Sequence, residues 1–219
     1  MQMSGPARGH ALLRTRYSPD GTASRGTQNN CASGFTPWGT YVTCEENWAV
    51  YFNMPANATL PDAKTLAGRT RYGVATTALA GGAGKLLGQG WHTPVDAAGE
   101  TTFARWNIAA SGATAADDFR NEPHTFGYNL EIDPANPNSV PAKRVSMGRF
   151  AHEAAVYSKL VAGQPIAFYM GCDSRNEYIY KFVSKENWVP ADAGGGMATG
   201  DKYLNEGKLY AAKFNDDGT

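Results

Sequence analysis

Five short segments in the last ninety-odd residues constrain this chain most: FGYNLEID, KRVSMGRF, PIAFYMGCD, EYIYKFVS and KLYAAKF. Each is rich in β-branched or aromatic residues and is bounded by Pro, Gly, Asn or Asp, the pattern of strands punctuated by turns. So many strands in so little chain predict antiparallel sheets. Composition points the same way, with 25 glycines, 12 prolines and 11 tyrosines against 9 phenylalanines favouring strands and turns over long helices. The expected fold class is all-β.

The rest of the chain is less uniform. Residues 12–26 read as a strand with a turn at Pro19-Asp20-Gly21, and residues 41–52 (YVTCEENWAVYF) as a strand opened by Thr36-Pro37-Trp38-Gly39. Residues 54–116 read as an irregular insertion, with one helix over residues 61–71. EYIYKFVS and GKLYAAKFN have similar character and start about thirty residues apart, a spacing that a propeller blade would give. The chain stops on Asn215-Asp216-Asp217-Gly218-Thr219, a turn sequence directly after a strand where a hairpin partner would be expected, so it is expected to be a fragment or a partial gene product.

Lys plus Arg and Asp plus Glu number 20 each, a formal net charge of +0. A sequence-wide basic field for nucleic acid or an anionic membrane is therefore not expected. No run approaches the ~18 apolar residues of a spanning helix, and the first twenty residues have no apolar stretch like that of a signal peptide. Either the protein stays inside or its export signal lies upstream. The three cysteines, Cys31, Cys44 and Cys172, cannot all pair within one chain.

Four polar spots place carboxylates or thiols in segments that otherwise read as buried strand or tight turn. They are Asn29-Asn30-Cys31, Cys44-Glu45-Glu46, Ala151-His152-Glu153 and Cys172-Asp173-Ser174-Arg175. Strand alternation points Glu45 and Glu46 to opposite faces, and His152 and Glu153 are expected just after a strand that ends at Phe150. Carboxylates facing one centre repel unless cations hold them together. Hard oxygen ligands suit calcium, and a thiolate with carboxylates suits iron or zinc. Plainer readings stand beside this one. The glutamates can face solvent or pair with arginine, His152 can be a hydrogen-bonded structural residue, and Asp173 can cap a turn. Cys31 and Cys44 can form a disulfide across a hairpin in an exported protein, leaving Cys172 over. Phosphate-loop, H-E-x-x-H, C-x-x-C and G-x-S-x-G patterns are absent from the sequence.

At these same residues the sequence resembles the PhoX-type bacterial alkaline phosphatases. The matching segments are NNCASGFTPWGTYVTCEENW, DDFRNEPHTFGYNLEIDP, GRFAHEAA, FYMGCDSRNEYIYKFVS and EGKLYAAKFNDDGT. The resemblance implies a β-propeller of antiparallel blades, secreted by the twin-arginine route to the periplasm or beyond, that hydrolyses phosphate monoesters with a Ca²⁺ and Fe³⁺ cluster. It implies Cys31 as a thiolate ligand to iron and Glu46, Glu153 and Asp173 as carboxylate ligands, with Asn30, Glu45, His152 and Arg175 around them. Family members are considerably longer, so part of the site is expected beyond Thr219, and the chain alone is expected to be monomeric and poorly soluble or inactive. Cys172 departs from the family's usual carboxylate or small residue at that turn. The rival readings are a propeller that holds calcium without catalysis and a lactonase with a single calcium.

Overall fold

A computed structural model describes residues 1–55, 58–75, 90–92 and 102–217. The chain is mostly β-sheet, with two short α-helices and several 3₁₀ turns among the described residues. It divides into two compact units. The first comprises Met1–Ala7, Gly26–Glu46 and Gly127–Thr219, and the second Arg8–Arg25 and Asn47–Phe126.

The first unit holds both sheets. One has five strands in the order β1-β5-β4-β3-β2, formed by β1 (Gln2–Ser4), β2 (Asn30–Phe35), β3 (Tyr41–Glu45), β4 (Asn129–Ile132) and β5 (Ala142–Arg144). Its pairs are antiparallel except for β1 with β5. The other is a meander of β6 (His152–Tyr157), β7 (Pro165–Cys172), β8 (Ile179–Asn187) and β9 (Gly207–Ala211). The sheets share one core, in which Trp38, Val42 and Cys44 meet Phe150, Phe168, Met170, Phe182 and Tyr203.

Two glutamates are buried in the five-stranded sheet without being left unpaired. Glu131 accepts from Trp38 Nε1 (2.7 Å) and from Arg144 Nε (2.6 Å). Glu45 pairs with Lys143 Nζ at 2.8 Å, and neither side chain is exposed. A buried carboxylate is tolerable only with such complete pairing. Helix α2 (Gly196–Leu204) packs close to the first pair, since a Cβ on Gly200 would lie 2.3 Å from Glu131 Oε2, so only glycine fits there.

The second unit contains α1 (Ala63–Tyr72), close to the helix expected over residues 61–71. Asp62 accepts from the Lys64 and Thr65 amides at its start, and Gly73, in the left-handed region with φ 71°, ends it. Its apolar core groups Trp48, Tyr51, Phe52, Met54, Trp106, Ile108 and Phe126. The stretch ALAGGAGKLLGQG, read as part of an irregular insertion, lies almost wholly outside the described residues.

Several expected strands are corrected. Residues 12–26 form no strand: a 3₁₀ turn occupies Ala11–Leu13, and Ser18 and Asp20 side chains accept from the backbone amide of Thr22, closing the loop locally. The segment 41–52 is strand only to Glu45, then turns at Ala49–Tyr51. KRVSMGRF is strand only through Arg144. EYIYKFVS and GKLYAAKFN are hydrogen-bonded neighbours in one sheet, β8 with β9, and not equivalent strands of successive blades. No helix among the described residues is long and apolar enough to cross a membrane.

Candidate functional site

Cys31 Sγ and one carboxylate oxygen each from Glu46 and Glu153 lie within 4.8 Å of one another. Asp173 hydrogen bonds to Glu46 and so joins the group. Of the four residues assigned to one centre from the sequence, Cys31, Glu46 and Glu153 lie together and Asp173 touches Glu46, all within the first unit. They come from β2, the end of β3, β6 and the turn after β7.

Local irregularities aim these side chains. Cys31 is the register partner of Cys44, and the pairing shifts before Gly34 meets Val42. Within that bulge Ala32 adopts φ 53°, and Asn29 on the other side of Cys31 adopts φ 49°. Left-handed geometry disfavours a residue with a Cβ, so backbone strain flanks the thiol. The Ala32 amide hydrogen bonds to the Cys31 sulfur. Glu153 is itself a bulge residue, because His152 pairs with Cys172 and Ala154 with the very next residue, Gly171. A bulge re-aims a side chain that strict alternation would place elsewhere. His152 and Glu153 therefore open a strand instead of following one.

Gly34 lets the two sheets meet here. A Cβ at that position would sit 3.1 Å from the Ala155 carbonyl oxygen, a contact between β2 and β6 that glycine alone makes easily. Glu45 and Glu46 serve opposite faces, as alternation predicts. The Glu46 amide donates to the Asn29 carbonyl, and Glu46 joins Cys31. Glu45 turns the other way, accepting from Lys143, the Gly127 and Tyr128 amides and Thr27 Oγ1.

The electrostatics are those of crowded anions. Burial raises the Glu46 carboxyl above its ordinary range, the hydrogen bond and charge of Asp173 and the charge of Glu153 raise it further, and the Cys31 hydrogen bond opposes them. Burial also raises the Cys31 thiol, helped by Glu46 and Glu153 and opposed by the Ala32 amide. Cys44 is pushed up to about 12, mainly by burial, and its Sγ lies 3.1 Å from Asn129 Oδ1. Two carboxylates can hydrogen bond to each other only if one holds a proton, and a bound cation removes that need. A sulfur donor beside three carboxylates fits an iron or zinc ion together with a harder cation such as calcium.

The surrounding residues sort differently. His152 is fully buried and stacks on Phe150, with ring centroids 3.6 Å apart. Its Nε2 is 3.1 Å from the Gly148 carbonyl, and a carbonyl only accepts, so Nε2 carries the proton. Asn30 accepts from Thr27 Oγ1, and Arg175 is exposed in the turn after Asp173. Cys172, across from His152, ends β7 just before Asp173. The sequence reading missed Lys143 as the partner of Glu45, and it missed the strained Ala32 amide beside Cys31.

A mostly β chain with a thiol and two carboxylates converging at strand ends, and a third carboxylate beside one of them, defines a candidate metal-binding protein. The family described as "Alkaline phosphatase PhoX" matches residues 1–219, and the chain belongs to that family. None of the curated proteins matches it. Among solved structures it is similar to "Pseudomonas fluorescens PhoX in complex with vanadate, a transition state analogue", with 36% identity and a TM-score of 0.77. The match covers 98% of this chain and 31% of that one, so the chain spans less than a third of that structure's length.

Proposed function

We propose that this chain carries part of a metal-dependent phosphoric monoester hydrolase site, in which Cys31, Glu46, Glu153 and Asp173 hold Fe³⁺ and Ca²⁺. One observation carries the reading: a sulfur and carboxylate oxygens from separate strands lie within 4.8 Å of one another. Glu153 and Asp173 are exposed while Cys31 and Glu46 are half-buried, so water screens part of the repulsion among these anions, and a bound cation would offset the rest. The similar structure's vanadate, described as a transition state analogue, supports phosphoryl chemistry for this family.

Bound cations would neutralise phosphoryl oxygens and supply a nucleophile from water at neutral pH. The chain's own residues do the positioning. The bulges at Ala32 and Glu153 aim the donors, the Ala32 amide orients the sulfur, and the Glu45–Lys143 pair fixes β3 against β5 behind them. With membership of the family goes the proposal of a β-propeller architecture and of a periplasmic or extracellular location.

The test is hydrolysis of a chromogenic phosphate monoester, with metal content measured on the same sample. Turnover that a chelator abolishes and that calcium with ferric iron restores supports the enzyme. Metal bound through Cys31 without turnover assigns the chain a calcium- and iron-holding role alone. A protein that takes up neither ion overturns the reading.

A further inference from the structure

We propose that Cys31 and Cys44 close a disulfide across the β2–β3 hairpin when no metal is held, so that oxidation and metal loading compete for one sulfur. The competition rests on the assignment of Cys31 as a ligand; the disulfide rests on register alone. Cys31 and Cys44 are direct Cα partners in the antiparallel pair and share one face of the sheet. Residues opposed in this way have Cα atoms about 4.5–5.5 Å apart, inside the roughly 4.4–6.8 Å that a disulfide spans. Both thiols are free, and Cys31 is among the groups that act electrostatically on Cys44. Cys44 is buried, with its sulfur turned to Asn129 Oδ1, the next residue along the same register row. Cys31 is half-buried and is the one an external oxidant reaches. Cys172 lies in the other sheet, opposite His152.

The oxidant is a small-molecule disulfide. Cys31 sulfur attacks one of its sulfurs, losing a proton and expelling a thiol, and a mixed disulfide forms. Cys44 sulfur then attacks Cys31 sulfur, loses its own proton and expels the second thiol. Two protein thiols are oxidised and one disulfide is reduced to two thiols, so electrons and protons balance. The product turns Cys31 towards the core side of β3 and leaves Glu46 and Glu153 without their sulfur partner.

The experiment treats the whole chain, chelator-stripped or preloaded with calcium and ferric iron, with oxidised glutathione and maps it under non-reducing conditions. Lys and Arg are absent from residues 26–63, so both cysteines fall on one tryptic peptide and the bond reads as a loss of two hydrogens. Expected results are the closed peptide in stripped protein, its loss on preloading, and its reversal by dithiothreitol. Cys44→Ser should show no closure and still take up metal after the same treatment. Absence of the closed peptide from stripped protein, or a link from Cys31 to Cys172, overturns the disulfide. Closure at an equal rate in preloaded protein overturns the competition. Metal content of untreated Cys31→Ser tests the ligand assignment separately, because a value equal to wild type sinks that assignment and leaves the disulfide standing.

Discussion

Glu45 and Glu46 are neighbours in the chain with opposite electrostatic fates. Glu45 is fully buried 2.8 Å from Lys143 Nζ, while Glu46 stands among Cys31, Glu153 and Asp173. Their substitutions should separate stability from metal binding. Lys143→Met strands a buried carboxylate and should cost about 3–5 kcal/mol in urea unfolding. Glu46→Gln removes one anion from a repelling group, so metal-free protein should be as stable as wild type or more so, while metal uptake falls. A loss of stability in Glu46→Gln that matches Lys143→Met would contradict this division.

Gly34 sets the approach of β2 to β6, since a Cβ there would lie 3.1 Å from the Ala155 oxygen. Gly34→Val should destabilise the protein by about 1–3 kcal/mol, as overpacked sites do. It should also weaken metal binding, because Cys31 and Glu153 ride on the two strands that must separate. Titration calorimetry with calcium and the urea midpoint report the two effects independently.

In the second unit, Asp118 gives a pH-dependent prediction. Burial pushes its carboxyl up, but the Arg120 guanidinium and the Gly112, Arg120 and Ser111 amides outweigh that and hold it down at about 2. A carboxylate held below its unfolded value of 3.8 stabilises the fold fully above that value. The contribution fades as pH falls from about 3.8 towards 2. Asp118→Asn should cost about 1–3 kcal/mol at pH 7. The gap between variant and wild-type unfolding midpoints should shrink across that acid window, and a gap independent of pH there would rule the ion pair out as its cause.

How much of this was legible in sequence follows from which forces are local. Strands β7, β8 and β9 declare themselves through aromatic and β-branched runs, and α1 through its Asp62 cap and Gly73 stop. Helix α2 does not, because Gly194 and Gly195 precede it and Gly196 opens it. Burial of Tyr203 and Leu204 and the Arg144–Asp201 ion pair hold it instead. Lys143 and Arg144 read as surface charges until strand pairing brings distant glutamates to them. At the site, the residue types and the family segments picked out Cys31, Glu46, Glu153 and Asp173. Their aim was not legible, since a bulge at Glu153 and a left-handed Ala32 depend on how two strands register.

The most direct measurement is the iron and calcium content of the purified chain beside that of Cys31→Ser, Glu46→Gln and Glu153→Gln. Wild type should carry both ions. Cys31→Ser should lose iron, and each glutamine variant should lose bound metal while keeping the wild-type circular dichroism spectrum. Metal content in the three variants equal to that of wild type, or a wild-type protein that stays metal-free after exposure to both ions, would contradict the account.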